Sequence, residues 1–278
     1  MIGDIIVDSW NDFEDELARL EEMRSSRRAG SNFIYRGQSD ASYELETTLD
    51  RKQRKMMPIA EYHGIIEKIK PQIEVFSGGH WDTATFQKSF DAWLDDNDSY
   101  MPHSLLLKEF NGTLRYMFWL RHYGFPSPLL DWTGSPYIAS YFAFNGARDG
   151  QGHVAVFVYL DSMSEFRTKS GWSGEPVILN IGPFGGALKR HYNQKSEYTL
   201  CVMRKNEHWI YAPYEGMFMP ASDDSQKSRQ DLLWKITIPW SKRNEFMSRL
   251  DKYYNINALS LFDSSEALMD TLAFRVFS

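Results

Sequence analysis

Sixteen consecutive residues constrain this chain more than any other part of it: Arg121-His122-Tyr123-Gly124-Phe125-Pro126-Ser127-Pro128-Leu129-Leu130-Asp131-Trp132-Thr133-Gly134-Ser135-Pro136. Proline lacks a backbone N–H and fixes φ, so no helix passes through Pro126 and Pro128. A helix over about 104–123 must end before them. A second starts at Pro136, because proline suits the first helical turn, and it carries the apolar run 137–144. Asp131, Thr133 or Ser135 can cap that helix. One cap accounts for only one of the three. The surplus of polar and aromatic groups on one connection points to ligand contact, since binding groups collect on irregular segments between regular elements. A helix N-terminus also attracts anions such as phosphate.

The rest of the chain reads as an α+β protein. Short strands are expected at 5–7, 32–35, 153–159, 197–203 and 232–238, from their β-branched and aromatic content. Helices are expected at 12–23, 58–76, from 239 or 241 to 253, and at 264–276. Asp8, Ser9 or Asn11 caps the first of these. Residues 77–102 read as an insertion with a short helix near 84–93, and residues 161–186 as a glycine-rich loop. No internal repeat or linker divides the 278 residues. The expectation is therefore a single domain with a central mixed or antiparallel sheet flanked by helices. Its core covers about 28–205, and a C-terminal extension, 230–278, packs on it.

Composition narrows the function classes. The formal charge of −6 argues against general nucleic-acid binding. Two basic clusters, Arg24 with Arg27 and Arg28, and residues 51–55, read as solvated surface. The one cysteine, Cys201, lies in an apolar stretch and reads as a core residue. The seven histidines are scattered without zinc spacing, so no metal is expected. Residues 1–4 carry no signal-like pattern and no run is long enough to cross a membrane, so a cytoplasmic protein is expected.

Three separated segments are candidates for one polar site. In Tyr35-Arg36-Gly37-Gln38, the arginine fork suits a phosphate or carboxylate, and the glycine permits close backbone approach. In the sixteen-residue stretch, His122, Tyr123, Asp131, Trp132, Thr133 and Ser135 offer hydrogen bonds and a stacking face. The third segment runs from Arg190 to Thr199. There Gln194 and Glu197 flank a strand entrance, where a carboxylate can meet a sugar hydroxyl or a developing positive charge. For each segment a structural role is the plain alternative: an ion pair for Arg36, caps for the hydroxyls, an exposed edge for Glu197.

These residues resemble the FRG domain family. The naming motif stands as Tyr35-Arg36-Gly37. The central pattern stands as His122-Tyr123-Gly124, Pro126, Leu129 to Thr133, Ser135-Pro136 and Tyr141-Phe142-Ala143. Arg190 and the segment Gln194 to Thr199 resemble the family's Gln-x-Gly-x-Phe element, with Ser196 and Tyr198 at its glycine and phenylalanine positions. More distantly, the order of an arginine on a first strand, Thr-x-Ser before a helix, and a glutamate on a later strand is similar to ADP-ribosyltransferases of the Arg-Ser-Glu type.

That resemblance implies an ADP-ribosyltransferase-like core and NAD as substrate. Arg36 would bind NAD, and Thr133 and Ser135 would shape the pocket. Glu197 would stabilise the oxocarbenium-like state, with Gln194 either sharing that role or holding the site. Tyr123, Trp132 or Tyr141 would stack on nicotinamide. Tyr35, Gly37, Gln38, His122, Asp131 and Arg190 complete the expected NAD contacts. The implied partner is a macromolecular acceptor, protein or nucleic acid, and a cognate antitoxin is a further candidate. Three functions follow: an effector, toxin or phage-defence ADP-ribosyltransferase; a non-catalytic nucleotide-sensing or protein-binding module; or a hydrolase using Asp131 with Glu197.

Overall fold

A computed structural model describes residues 3–26, 31–52, 54–83, 111–146, 152–161, 176–182, 189–206, 208–214 and 231–277. Among them are eight strands and eight α-helices. In chain order these are β1 (Gly3–Ile6), α1 (Trp10–Ser26), β2 (Phe33–Gln38), α2 (Ile59–Ser77), α3 (Asn111–His122), β3 (Leu130–Thr133), α4 (Pro136–Asn145), β4 (His153–Leu160), β5 (Val177–Asn180), α5 (Lys189–Asn193), β6 (Ser196–Lys205), β7 (His208–Tyr211), β8 (Leu232–Pro239), α6 (Arg243–Tyr254), α7 (Ala258–Phe262) and α8 (Ser265–Phe277). The α+β class and mixed sheet are as expected. The helix at 84–93 and the start of the helix at 104 lie outside the described residues.

The strands run β1-β8-β4-β2-β3-β6-β5, with β7 also paired to β6. Among the described strands, only β1 and β8 pair in parallel. The pairings are uneven, and that unevenness makes the site. β2 pairs with β4 over six positions, from Phe33–Leu160 to Gln38–Ala155. On its other edge it meets β3 at one position, Tyr35–Thr133. β3 in turn pairs with β6 at all four of its residues. The sheet is thus two well-formed halves joined by a single bridge. Beyond the bridge the halves part, leaving the Arg36–Gln38 edge of β2 and the Leu130–Trp132 edge of β3 unpaired with each other.

Side chains alternate across each strand, so each half buries two faces. On one face, Phe33 and alternate residues of β4 and β8 pack with α1, α4, α6, α7 and α8 around Trp10, Phe13, Phe144 and Phe246. Farther along the sheet, Tyr198, Leu200 and Val202 pack with α2 and α3 around Tyr62, Tyr116 and Phe118. On the opposite face, Ile34, Trp132, Phe157, Tyr159 and Cys201 form a third cluster. Cys201 is buried there, as its apolar surroundings imply.

Local chemistry sets the elements around the split. Ser9 caps α1, its Oγ accepting from Asp12 N at 3.1 Å. Ser135 caps α4, accepting from Ile138 N at 3.4 Å with Pro136 next to it. Asp131 and Thr133 are instead in a strand that the polar composition of Leu-Asp-Trp-Thr concealed. Gly37 faces α4: a β-carbon there would lie 1.9 Å from the carbonyl oxygen of Ala139 and 2.6 Å from Ala143 N. The glycine is needed so that α4 can lie directly on β2. Two further strands correct the sequence reading. β5 falls inside the expected loop 161–186, and β7 was not expected at all. Both are four residues long and are held by β6, whose register supplies what their own sequences lack.

Candidate functional site

A cleft of about 430 Å³ opens where β2 and β3 part. It is lined by Tyr35, Arg36, Gly37, Gln38, Ser39, Tyr43, Arg51, Arg121, His122, Asp131, Trp132, Thr133, Phe142, Arg190, His191, Gln194, Ser196 and Tyr198. All three candidate segments therefore meet in one place. Four arginines line it against a single carboxylate, Asp131, in a chain whose formal charge is −6.

The arginines are held in different ways. Arg36 donates from Nη1 to the main-chain carbonyl of Asp131 at 2.7 Å, while its Nε is buried without a partner. Burial pushes its pKa down to about 10; Asp131 opposes that shift, and Arg121 and Arg51 reinforce it. Arg36 remains a cation at neutral pH. Arg121 grips the Asp131 carboxylate in a two-point fork, with Nε 3.0 Å from Oδ1 and a second bond from Nη2 to Oδ2. Arg190 lays its guanidinium carbon 4.2 Å above the Phe262 ring centre, and its Nε is also buried without a partner. Arg51, at the mouth, reaches the carbonyl of Glu46.

His122 and His191 adjoin Arg190, their rings 5.4 Å apart. Burial, then His122, drives the His191 pKa down to about 4, so the ring is neutral. Burial and the nearby Arg190 lower His122 as well. His191 Nε2 lies 3.4 Å from the Tyr198 hydroxyl. With the phenol as donor, the imidazole carries its hydrogen on Nδ1, and that nitrogen is buried without a partner. Gln38 donates from Nε2 to the Glu44 carbonyl at 3.2 Å, leaving Oε1 buried and unpaired.

Several candidates hold the site together from the side. Thr133 donates to the Gln194 carbonyl at 2.7 Å, and the Gln194 amide donates to the Leu261 carbonyl at 3.3 Å. Gln194 thus ties α5 to α7. Ser135 is occupied as the α4 cap and does not line the cleft.

None of the three rings expected to stack presents a face there. Tyr123 is exposed beside Trp119. Tyr141 is buried against Phe142 and Phe262. Trp132 borders the cleft, but its indole is buried and its Nε1 donates to Thr199 at 2.9 Å. The other phenyl and phenol rings that border the cleft are Tyr35, Tyr43, Phe142 and Tyr198.

Glu197 stands at the strand entrance, as expected, but is not among the residues that line the cleft. It pairs in register with Trp132, while Ser196 and Tyr198 pair with Thr133 and Asp131. Alternation puts Ser196 and Tyr198 on the cleft side and turns Glu197 to the other face. Asp131 and Glu197 therefore project from opposite faces and do not form a pair across a common ligand. Half-buried and with no charged neighbour acting on it, Glu197 has its pKa raised by burial to about 7.

The sequence reading missed Arg51, placed with a solvated run, and Ser39, Tyr43, Arg121, Phe142, His191, Ser196 and Tyr198 as lining residues. Arg121 and His191 each sat beside a chosen residue, so a helical or strand-entrance neighbour was the available signal.

Among the described residues no group of three or more His, Cys, Asp or Glu could hold a metal ion, and no helix is long and apolar enough to cross a membrane. The fold and cleft define an α+β protein with an arginine-lined cleft in a split sheet. Residues 31–152 match the model of the FRG domain family. Neither the curated proteins nor the solved structures compared with the chain give a match. The matched span supplies β2, α3, β3 and α4, and with them Arg36, Gln38, Arg51, Arg121 and Asp131. The Arg190 and His191 wall comes from outside it.

Proposed function

We propose that the cleft binds NAD as a substrate and supports ADP-ribosyl transfer, in the manner of an effector, toxin or phage-defence enzyme. The observation that carries this reading is the set of unpaired buried polar atoms around one cleft: Arg36 Nε, Gln38 Oε1, Arg190 Nε and His191 Nδ1. Buried polar groups are nearly always satisfied, because each orphan costs about 1–3 kcal/mol. Four residues lining one cleft each keep such an atom, and a ligand that draws them into contact would satisfy them. The Nε–H groups of Arg36 and Arg190 suit phosphate oxygens, and the amide oxygen of Gln38 suits a ribose hydroxyl. The cleft volume lies in the range of about 300–1,000 Å³ common to small-molecule sites.

In the transfer itself, the bond between ribose C1′ and the nicotinamide nitrogen breaks, and its electron pair leaves with nicotinamide. The acceptor's lone pair forms the new bond to C1′, and its proton passes to solvent. The protein must hold the ribose and stabilise positive charge at C1′. Asp131 is the carboxylate that lines the cleft, and its fork with Arg121 fixes its direction. Glu197 lies across the strand.

A non-catalytic nucleotide-binding module is the second reading. It is favoured by one observation: the cleft's carboxylate is already neutralised by Arg121. Labelled NAD incubated with the purified chain and cell lysate separates the two. Nicotinamide release, with label on a macromolecule, lost in Asp131→Asn and kept in Glu197→Gln, supports the transferase. Saturable NAD binding without release supports the module. No NAD binding by the folded chain overturns both.

A further inference from the structure

One wall of the cleft is carried by α5 and the residue after it, which supply Arg190, His191 and Gln194. A helix of five residues has no stability of its own and must be placed by its neighbours. One stretch of α7 places it. Gln194 Nε2 donates to the Leu261 carbonyl at 3.3 Å, the Arg190 guanidinium carbon stands 4.2 Å from the Phe262 ring centre, and Lys189 Nζ meets Asp263 Oδ2 at 2.5 Å. From the other side, the Thr133 hydroxyl donates to the Gln194 carbonyl at 2.7 Å, and Gly134 N to the Lys195 carbonyl at 2.9 Å. α7 is itself firmly set. Asn257 and Ser260 close a capping box at its start, Asn257 Nδ2 donates to Asp251 of α6 at 2.8 Å, and Leu259 N donates to Thr271 Oγ1 of α8 at 3.0 Å. The α5 wall thus takes its position from C-terminal helices that lie outside residues 31–152.

Phe262 differs from the other contacts in that stretch. It is not among the residues that line the cleft, yet its ring meets lining residues of two elements. One is Arg190 of α5; the other is Phe142 of α4, with ring centres 6.0 Å apart and planes at 76°. How an arginine is held decides what it has left to give. Arg121 is held by a carboxylate, and its Nε and Nη2 are spent on Asp131. Arg190 is held by a ring, which attracts the cation without consuming the N–H fork that a carboxylate would take. Its Nε is accordingly buried without a partner, on a side chain that lines the cleft.

Resting on the NAD reading above, we propose that Phe262 is a positioning residue of the cleft. It holds Arg190 in the wall with its Nε–H unspent, so that the arginine can take a phosphate of the dinucleotide, and it does so without touching the ligand.

Calorimetric titration of NAD into the full chain tests this, with thermal melting of each variant as the check on folding. Phe262→Leu keeps an apolar side chain but removes the ring, and NAD affinity falls about five- to thirtyfold. Phe262→Tyr keeps the ring and the affinity. In an Arg190→Met background, which has no cation for the ring to hold, Phe262→Leu changes NAD affinity by less than about twofold. Should Phe262→Leu not fold, Phe262→Met is read in its place. Should Arg190→Met bind too weakly to titrate, Arg190→Lys is the background, and the penalty shrinks without vanishing. Phe262→Leu binding as tightly as the wild type overturns the proposal, as do equal losses in Phe262→Leu and Phe262→Tyr. A penalty as large in the Arg190 variant as in the wild type also overturns it, since the ring then acts through packing or through Phe142. A wild type that does not bind NAD overturns the reading on which the proposal rests, and the proposal with it.

Discussion

Two polar groups of residues flank β3, and they differ in how completely their hydrogen bonds are made. Behind the strand, Trp132 Nε1 donates to Thr199 Oγ1 at 2.9 Å, and the Thr199 and Tyr214 hydroxyls share a bond of 2.6 Å. All three residues are at most 4% exposed, and these polar atoms are satisfied. On the cleft side, Arg36, Gln38, Arg190 and His191 each keep an unused buried atom. The first group behaves as structure, closing its bonds internally in a low-dielectric interior where an open one is costly. The second keeps bonding capacity where a ligand can use it. Arg36 and Gln38 share the face of Ile34 and Trp132, so the contrast is set by position at the split between β2 and β3 rather than by face.

The sharpest way to break that comparison is at Arg36. Arg36→Ala removes a cation and an unused donor from the cleft but only one main-chain contact from the fold. NAD affinity should fall by about 100-fold, as expected from losing hydrogen bonds to a charged group. The melting temperature should move by no more than a few degrees. Titration and a thermal scan on the same sample check both. A large melting loss with unchanged affinity would make Arg36 a structural residue.

The next effect lies on the satisfied side. Thr199→Val leaves the Trp132 N–H and the Tyr214 hydroxyl in the interior without their shared partner. One such orphan costs about 1–3 kcal/mol. Melting should drop by about 4–8 °C at the 2–4 °C per kcal/mol typical of chains this size. His191→Phe is its counterpart in the cleft. It removes an orphan and one weak contact to Tyr198, so melting should change by less than about 2 °C. Its cost should appear in NAD affinity, since His191 lines the cleft. Equal melting losses in the two variants would erase the distinction between the groups.

How much of this was legible in the sequence follows the same division. Arg36 and Gln38 could be named because they flank Gly37, Asp131 because it follows the proline-punctuated stretch, and Arg190 through the family resemblance. The α-helices over Trp10–Ser26, Ile59–Ser77 and Arg243–Tyr254 could be named from their apolar spacing. The split itself could not, because it is a shortage of pairing between strands distant in sequence, a single bridge at Tyr35–Thr133. Nor could the strand Leu130–Thr133 be told from a helix approach, since four residues with an aspartate give too short a period. The face taken by Glu197 was hidden for a related reason. Its position one residue into β6 was clear, but which face it takes depends on register with Trp132, and a one-residue shift exchanges the two faces.

The remaining effect depends on pH and concerns Glu197, and it decides to which side of the comparison that residue belongs. Burial raises its pKa from the ordinary 4.5 to about 7. Between those values the native protein holds a proton that the unfolded chain has released. Folding then takes up a proton, so this residue's contribution to stability declines as pH climbs from about 4.5 to 7 and is level above that. Gln cannot ionise and avoids the decline. Glu197→Gln should therefore melt at about the same temperature as the wild type near pH 4.5 and several degrees higher at pH 8, with the difference growing across the interval. Thermal scans at half-unit steps of pH give the curve directly. A difference that stays flat would mean that Glu197 is ionised throughout, stabilised by a cation in the folded protein. Glu197 would then be a working carboxylate beside the cleft. A difference that grows with pH marks a carboxyl buried without a charge partner on the far face, and leaves Asp131 as the carboxylate that a ligand in the cleft would meet.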